Sequence, residues 1–245
     1  MTNVLLTGAA GGIGLATVHR FLAKGCKVFA AEVSEERLGD LRCRFAEPMG
    51  RGVLVLLRLD VSSQSDIERA LAVMRSEAAD VGILINCAGI FQTTPFLQMN
   101  DEQFAAMLNV NLLGAFRLAQ AVARDMSQRK RGRIINVGSI AGLKGAPGAA
   151  HYAASKGGLR ALSATMAVEL AVHNIQVNLV TPGYVDTPMM GELANAMRAL
   201  ASWRVPTKRL ASPDDIAEVI CMLAMLDTTY VTGTEVIVDG GFLSA

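Results

Sequence analysis

The amino-acid sequence predicts an α/β protein with a doubly wound, seven-stranded parallel sheet flanked by helices, in a single domain of residues 1–245. Three observations predict this fold. Short apolar runs alternate with helix-like segments along the chain, the order that produces parallel strands joined by right-handed crossovers. A glycine-rich turn follows the first apolar run. Polar side chains follow several later runs, at the strand ends where open α/β sheets bind ligands.

The composition suits one folded domain and argues against a polyanionic partner. Of the 245 residues 51% are hydrophobic, and 23 basic side chains balance 22 acidic ones. This balance favours neither nucleic acid nor an anionic membrane as the main partner. A cluster of cations ends a long helical pattern, where positive charge suits the helix C-terminus and faces water. The cluster consists of Arg124, Arg129, Lys130, Arg131 and Arg133.

The sequence also indicates the compartment. Its four cysteines have neither metal-ligand spacing nor the density of a disulfide scaffold, so we expect no metal and a reducing environment. Residues 1–23 lack the basic start of a signal peptide, and glycines between Gly8 and Gly14 would break an apolar helix. No uninterrupted apolar run approaches the ~20 residues that span a bilayer. We therefore expect a cytoplasmic protein without a membrane partner.

The first strand and its turn predict a phosphate-binding loop. Val4–Leu6 is an apolar run ending at Thr7, and the turn Gly8–Gly14 leads into a helical pattern that reaches Lys24. In such a turn, glycines without a Cβ let backbone N–H groups approach a pyrophosphate. Glycine-rich turns also occur without ligands, so the second strand has to support this interpretation.

The second strand, Lys27–Ala31, ends at Glu32, eighteen residues past Gly14. Dinucleotide folds place an acidic side chain there on the adenosine ribose. A carboxylate accepts from both ribose hydroxyls and repels a 2′-phosphate, and neither Val33 nor Gly11 supplies the cation that a 2′-phosphate needs. The position predicts NAD rather than NADP as cofactor. The alternative is a solvated glutamate that opens a loop.

The alternation continues through helix 35–46, strand 53–59, helix 64–79 and strand 82–85. Asp60 and Val61 follow the third strand at its carboxyl end, which predicts an adenine contact. Asn86, Cys87, Ala88 and Gly89 follow the fourth strand. No base adjacent in sequence activates Cys87, so we interpret it as a packing residue.

The next helical pattern, Asp101–Gln128, contains two asparagines that helices disfavour. Asn109 and Asn111 either satisfy local backbone groups, or one of them has a function.

An acid–base group is predicted after the fifth strand, Arg133–Val137. If the segment that follows is helical and runs to His173, Tyr152 and Lys156 share one helix face. A cation at ~4 Å is worth roughly 4 kcal/mol, which would lower the phenol pKa from ~10 and let it exchange protons with a substrate. About 0.07 such spacings are expected by chance. Ser139 lies just past the strand, and the loop after it is short enough to return its hydroxyl to Tyr152.

The remainder of the chain completes the sheet. A sixth strand at 175–180 leads into residues 181–188, and a helix that starts at Ser212 and Pro213 reaches Leu226 before a seventh strand at 234–238. Between these elements lies a mostly apolar segment at about 188–210. It is predicted to be either ordinary helical packing or a lid over an apolar substrate.

These motifs, in this order and spacing, resemble the short-chain dehydrogenase/reductase family over essentially the whole chain. One departure is Cys87, in a motif that is more commonly Asn-Asn-Ala-Gly. The matching pieces are Thr7-Gly8-x-x-x-Gly12-Ile13-Gly14, Asn86-Cys87-Ala88-Gly89, Asn111, Ser139, Tyr152-x-x-x-Lys156, and Pro182-Gly183 with Thr187.

The resemblance implies a Rossmann fold, a homotetramer and specific catalytic roles. Tyr152 would be the general acid–base, and Lys156 would lower its pKa together with the positive nicotinamide and bind the nicotinamide ribose. Ser139 would hold the reacting oxygen of the substrate beside Tyr152. Asn111 would anchor a water in a proton relay.

A cofactor site is predicted from the same motifs together with the strand-end positions. Its residues are Gly8, Gly12, Ile13, Gly14, Glu32, Asp60, Val61, Asn86, Ala88, Gly89, Tyr152, Lys156, Pro182, Gly183, Val185 and Thr187.

Three functions compete. The first is an NAD-dependent oxidoreductase that interconverts a small secondary alcohol and a ketone. The alternative is a 3-oxoacyl-[acyl-carrier-protein] reductase that uses NADPH and docks an acidic carrier on the Arg129–Arg133 cluster; Glu32, and His173 where that subgroup commonly has Arg, argue against it. A non-catalytic dinucleotide-sensing regulator would not need Ser139, Tyr152, Lys156 and Asn111 in register.

Overall fold

The structure, a computed structural model, describes residues 2–245 apart from the side chains at positions 190 and 192–194. Seven strands form one parallel sheet in a single domain, which confirms the predicted fold class. They are β1 Asn3–Thr7, β2 Lys27–Glu32, β3 Leu54–Arg58, β4 Ile83–Asn86, β5 Gly132–Val137, β6 Ile175–Pro182 and β7 Glu235–Val238. Their order in the sheet is β3-β2-β1-β4-β5-β6-β7.

Helices cover both faces of this sheet. They are α1 Gly12–Ala23, α2 Glu35–Arg44, α3 Ala46–Gly50, α4 Gln64–Ser76, α5 Asp101–Leu108, α6 Ala115–Arg129, α7 Ala150–Leu170, α8 Ala194–Arg204 and α9 Pro213–Ala224. The helix predicted at 35–46 therefore ends early, at Arg44. The predicted cap of α9 is present, because Ser212 accepts from the Asp215 N–H and Pro213 is the first helical residue.

Side chains that alternate along each strand enter two separate cores. Leu6 of β1 packs with Phe21 on one face of the sheet. Its neighbour Leu5 packs with Phe29 and Leu84 on the other face. Because both faces are covered, the strands read as continuous apolar runs rather than as an alternating pattern.

The predicted long helix 101–128 is interrupted. Asn109–Gly114 forms a π-helical turn between α5 and α6, a feature that often occurs at functional sites. The run Asp101–Arg129 is long and apolar enough to cross a membrane by length and composition alone. Core helices meet the same criterion, and here Leu118 and Val122 are fully buried in the core beneath the sheet.

The strand order reverses at β1, which lies between β2 and β4. Ligands of open α/β sheets bind at such a reversal, at the carboxyl ends of the strands. The turn after β1, Glu32 at the end of β2, the loop after β4 and Ser139 after β5 all lie along this edge. We call this edge of the sheet, with the loops that follow its strands, the cleft.

Candidate active site and dinucleotide cleft

The glycine turn after β1 is packed too closely for any side chain. Gly8 has φ of +68°, and a Cβ there would lie 2.8 Å from the Ala88 Cα. A Cβ on Gly14 would lie 2.1 Å from the Gly8 carbonyl oxygen. Thr7 fixes the same contact, because its Oγ1 accepts the N–H groups of Cys87 at 3.2 Å and Ala88 at 3.1 Å. The predicted strand, turn and helix are thus present, with the N-terminus of α1 facing the cleft.

The loop after β6 closes over this turn. A Cβ on Gly12 would lie 2.7 Å from the Thr187 Cγ2, so Thr187 and the start of α1, with Ile13, lie together. Pro182 ends β6, and Gly183 passes so close to the chain after β7 that a Cβ would lie 2.7 Å from the Asp239 Cα. Val185 is buried. The structure therefore brings the two predicted ends of the cofactor site to one place.

Glu32 is buried and bound to backbone amides. Its carboxylate accepts from the N–H groups of Ala10 at 3.3 Å, Val33 at 2.9 Å and Ser34 at 3.3 Å. It therefore ties the glycine turn to the end of β2, and the alternative of a solvated glutamate is wrong. The sequence analysis missed Arg58, which is the register partner of Glu32 on β3.

Arg58 is the nearest cation to consider for a 2′-phosphate, but acidic groups already bind its guanidinium. It lies 3.3 Å from the Asp66 carboxylate and 3.7 Å from that of Glu35.

The remaining predicted cofactor residues are at the edge of the cleft, but two of their side chains turn inward. Asp60 Oδ1 accepts from the Ser62 N–H at 2.8 Å and from its hydroxyl at 2.6 Å. The Val61 side chain is buried against the π-helical turn, since a Cβ on Gly114 would lie 2.7 Å from its Cγ2. The Asn86 amide donates to Asn136 Oδ1 at 2.9 Å inside the sheet. Val61 and Asn86 thus have side chains that pack and hydrogen-bond inside the protein.

Tyr152 and Lys156 lie on one face of α7, as the spacing predicts. The Lys156 Nζ is 5.8 Å from the centroid of the Tyr152 ring and donates to the Val137 carbonyl at 2.9 Å. The Phe91 ring meets the Tyr152 ring edge-on with centroids 4.9 Å apart. Ser139, whose Oγ accepts from the Ala141 N–H at 3.2 Å, lies beside the phenol, and its hydroxyl acts to lower the phenol pKa. Serine, phenol and ammonium therefore share one pocket.

Burial, however, dominates the electrostatics of this pocket. It raises the pKa of the Tyr152 phenol, and the nearby Ser139 hydroxyl offsets only part of that effect. It also lowers the pKa of Lys156 to about 8. The protein's own groups therefore do not lower the phenol pKa, in contrast to the prediction for Lys156. The cost of burying a charged phenolate exceeds the attraction of the Lys156 ammonium, which already donates a hydrogen bond to a carbonyl.

Cys87 lies near Lys156 and Tyr152 and stays a thiol. Burial raises its pKa to about 11, against a smaller lowering by Lys156. This fits the interpretation of Cys87 as a packing residue.

Asn111 lies in the π-helical turn and binds a distant loop rather than its own helix. Its Oδ1 accepts from the Ile90 N–H at 2.8 Å, and its Nδ2 donates to the Ile90 carbonyl at 2.9 Å and the Ser155 hydroxyl at 3.2 Å. Ser155 in turn donates to the Tyr152 carbonyl at 2.7 Å. A Cβ on Gly89 would lie 3.2 Å from Asn111 Oδ1 and 3.7 Å from Lys156 Nζ. Both polar atoms therefore face the same space beside Gly89.

The second asparagine of the pair has a local partner. Asn109 Oδ1 accepts from the Arg117 guanidinium at 2.8 Å, so it satisfies a neighbouring side chain rather than the site.

An apolar cluster that includes Ile140, the neighbour of Ser139, is built on the segment 188–210. Ala201, Val205 and Leu210 pack with Ile140 and Phe242. Two aromatic contacts hold this cluster together: the Tyr184 and Phe242 rings meet edge-on at 5.2 Å, and the Lys144 Nζ lies 4.7 Å from the Phe242 centroid. Trp203 is 72% exposed, so its ring lies outside this cluster.

The basic cluster at the end of α6 is divided in function. Arg129 binds the Asp80 carboxylate at 3.0 Å and the Val81 carbonyl at 2.8 Å. Arg133 donates to the carbonyls of Leu223, Leu226 and Thr228. These two arginines bind carbonyl and carboxylate groups of the loop before β4, and of the end of α9 and the loop after it. Arg124, Lys130 and Arg131 are exposed. Among the described side chains, no group of three or more His, Cys, Asp or Glu could hold a metal ion.

Comparisons with known proteins agree with this geometry. A family model described as enoyl-(acyl carrier protein) reductase matches residues 8–243. The 3-oxoacyl-[acyl-carrier-protein] reductase of Thermotoga maritima is 38% identical over 239 residues, which are 98% of this chain and 96% of the relative. Seven further relatives, 34% to 37% identical, carry the same description.

Solved structures share the whole fold. A levodione reductase has a TM-score of 0.93 at 28% identity, covering 100% of this chain and 98% of its own. A gluconate 5-dehydrogenase from Burkholderia cenocepacia, in complex with NADP and tartrate, has a TM-score of 0.92 at 31% identity, covering 100% of this chain and 96% of its own.

Proposed function

The chain belongs to the short-chain dehydrogenase/reductase family and is an oxidoreductase, and we propose that it transfers hydride between a nicotinamide dinucleotide and a ketone or secondary alcohol. The observation that carries this proposal is the shared pocket of Ser139, Tyr152 and Lys156 beside the glycine turn. That turn fits the cofactor, because it leaves no room for a Cβ at Gly8, Gly12 or Gly14 and aims a helix N-terminus at the cleft.

The proposed mechanism assigns each polar group one task. The dinucleotide, when bound, supplies or accepts the hydride at C4 of its nicotinamide. Ser139 and Tyr152 donate hydrogen bonds to the substrate oxygen, and Tyr152 gives it a proton during reduction. Burial favours the protonated phenol, which suits an acid in the reductive direction. Lys156 would pass the proton back to Tyr152 from a water that Asn111 anchors in the space beside Gly89.

For the substrate, we propose a 3-oxoacyl thioester, which the enzyme would reduce to the 3-hydroxyacyl form. The names of the curated relatives support this alternative better than a general alcohol dehydrogenase. Because Ser139 and Tyr152 would both donate hydrogen bonds to one substrate oxygen, the site favours reduction of a carbonyl over reduction of a carbon–carbon double bond. In this proposal the exposed Lys130 and Arg131 would contact an acidic carrier.

A second candidate is a small uncharged ketone or secondary alcohol without a carrier. It is favoured because Arg129 and Arg133 already bind the protein's own groups, which leaves a smaller basic patch for an acidic partner.

We further propose NAD as the preferred cofactor, because the Glu32 carboxylate ends β2, where dinucleotide folds place the acid that binds the ribose and repels a 2′-phosphate. The gluconate dehydrogenase of this fold was solved with NADP, so the preference needs a direct test. Glu32→Ala combined with Val33→Arg should shift the ratio of kcat/KM towards NADP. Glu32→Gln is a second variant that removes the charge and keeps one of the two acceptor oxygens that bind the backbone N–H groups. An unchanged ratio in both variants would remove Glu32 from the argument.

The remaining expectations are also proposals. The segment 188–210 would act as a substrate lid, tied to the cofactor loop by the Arg198–Asp186 ion pair at 2.8 Å. The protein would be a cytoplasmic homotetramer. The groove between α6 and α7, lined by Phe116, Met166 and Leu170 among others, would be one interface.

The function is tested by following dinucleotide absorbance with three substrate sets: 3-oxoacyl thioesters, small ketones and secondary alcohols. We expect the thioesters to have the highest kcat/KM, and a carrier-bound thioester to exceed the free thioester. Equal rates for free and carrier-bound substrates would favour the second candidate. Tight dinucleotide binding with no turnover in any set would support the sensing regulator instead.

A further inference from the structure

The residue directly before Tyr152 is a fully buried histidine whose ring contacts the tyrosine backbone. His151 has an accessibility of 0%, and its Nδ1 accepts the N–H of Tyr152 at 3.0 Å. None of the motifs in the sequence includes His151. Its position nevertheless places an imidazole on the backbone of the residue proposed to move the proton.

The bond gives a partner to one of the backbone N–H groups at the start of helix α7. The first N–H groups of a helix have no partner within the helix and are usually capped by a side chain. In α7 the residue before the helix is Ala149, which offers no side-chain cap. The first intrahelical bond is from the Ala153 N–H to the Ala149 carbonyl at 2.8 Å. The Tyr152 N–H is therefore free of the helix ladder, and His151 takes the place of the missing cap for that group.

This contact also fixes the tautomer of the imidazole. A nitrogen that accepts a hydrogen bond carries no proton, so the neutral ring holds its proton on Nε2. Within the part of the chain that the structure describes, Nε2 is buried without a hydrogen-bond partner. Buried polar atoms without a partner are rare and often reflect a functional constraint. An apolar side chain would avoid this unpaired donor, but it would also lose the contact with Tyr152.

We propose that His151 is a positioning residue for Tyr152, whose neutral imidazole holds the backbone from which the phenol reaches the substrate oxygen. A second arm supports the same backbone segment, because Ser155 donates to the Tyr152 carbonyl and Asn111 donates to Ser155. The Tyr152 peptide groups are thus held at both the N–H and the C=O. The inference rests on the proposed function, because it assigns importance to the exact position of the phenol.

The test separates the two ring nitrogens with matched amide variants. In His151→Asn the side-chain oxygen can occupy the position of Nδ1 and accept the Tyr152 N–H. In His151→Gln the amide lies near the position of Nε2, and the acceptor for Tyr152 is lost. We expect His151→Asn to keep kcat within about threefold of wild type, and His151→Gln and His151→Leu to lose roughly 10- to 100-fold, the effect of a small misplacement of a reacting group. KM and dinucleotide affinity should change little.

Two further measurements keep the outcomes distinct. Ultraviolet difference titration of Tyr152, against the Tyr152→Phe variant, needs no turnover, and in the Gln and Leu variants it should move towards the value of an ordinary tyrosine. The inference is overturned if the Asn and Gln variants match in kcat and in this titration. It is also overturned if every loss of kcat follows an equal loss of dinucleotide affinity or thermal stability, the behaviour of a core residue. If wild type turns over no substrate but the titrations differ as expected, the proposed function fails and the positioning role stands.

Discussion

The two halves of the cleft are built on different principles. On the cofactor side, backbone meets backbone: Gly8 contacts Ala88, Gly14 contacts Gly8, and buried Glu32 binds three amide groups. On the side proposed to bind substrate, side chains contact side chains: Phe242 packs against Tyr184, Lys144 and the buried face of α8.

The difference indicates which half of the cleft tolerates amino-acid substitutions. A contact between backbones at van der Waals distance tolerates only glycine, so the cofactor half constrains the sequence at fixed positions. A cluster of apolar side chains can be repacked with other residues of similar volume. The chemistry lies at the boundary between the two halves, where Tyr152 and Lys156 project from α7.

The largest effect is expected at that boundary. Tyr152→Phe removes the proton donor but keeps the ring that contacts Phe91, so kcat should fall by roughly 10²- to 10⁴-fold while dinucleotide affinity stays nearly constant. Steady-state kinetics and fluorescence titration of the dinucleotide measure the two quantities. Tyr230→Phe is the control, since Tyr230 is 97% exposed. Loss of dinucleotide binding without loss of kcat would mean that the phenol is structural.

A pair of glycine variants tests the contrast between the halves directly. A Cβ on Gly14 would lie 2.1 Å from a backbone oxygen, whereas one on Gly145, in the loop after Ser139, would meet nothing within 4 Å. Gly14→Ala should lower the free energy of unfolding by about 3 kcal/mol, the upper end for overpacking against atoms that cannot move, and weaken dinucleotide binding. Gly145→Ala should leave both nearly unchanged. Equal effects in denaturant unfolding would refute the contrast.

The same contrast decides how much the sequence reveals. All seven strands and the glycine turn were predictable, because buried parallel strands are continuous apolar runs and close backbone approaches require glycine. Tyr152 and Lys156 were predictable from helical spacing. The π-helical turn was not, because its cause is the bond of Asn111 to Ile90, a partner far away in sequence.

The electrostatics of the site and the capping of α7 were also not predictable from the sequence. The raised pKa of Tyr152 depends on how deeply the phenol is buried, and spacing along a helix carries no information about depth. His151 gave one weak signal, a polar residue at the start of a helix whose preceding residues are alanines. Arg58 could have been found by aligning the ends of β2 and β3, since parallel register makes it the neighbour of Glu32.

Lys156 lies at the boundary between the two halves, and its burial should lower the free energy of unfolding. Burial lowers its pKa from 10.5 to about 8, which corresponds to about 3 kcal/mol against folding at neutral pH. Lys156→Met loses the bond to the Val137 carbonyl, worth about 1 kcal/mol, so this inactive variant should be more stable by about 2 kcal/mol.

The pH dependence has a defined sign. Below pH 8 the lysine is charged in both states and the full cost applies; between 8 and 10.5 the unfolded chain binds more protons, so wild-type stability should rise towards that of the variant. Urea unfolding across this range measures it. Lys24→Met, at an exposed lysine, is the control and should show no such convergence. A difference that stays constant with pH would contradict the assignment.

The smallest effect is expected from Phe242→Ala, which loosens only the substrate half. The edge-on contact of Phe242 with Tyr184 is worth about 0.5–1.5 kcal/mol beyond the buried area, so KM should rise roughly 2- to 10-fold with little change in dinucleotide affinity. Trp203→Ala, on the exposed face of α8, should change neither quantity. If dinucleotide affinity falls as much as KM rises, the two halves respond as one unit. The division between backbone-built and side-chain-built regions would then describe how the cleft is assembled but not how it binds.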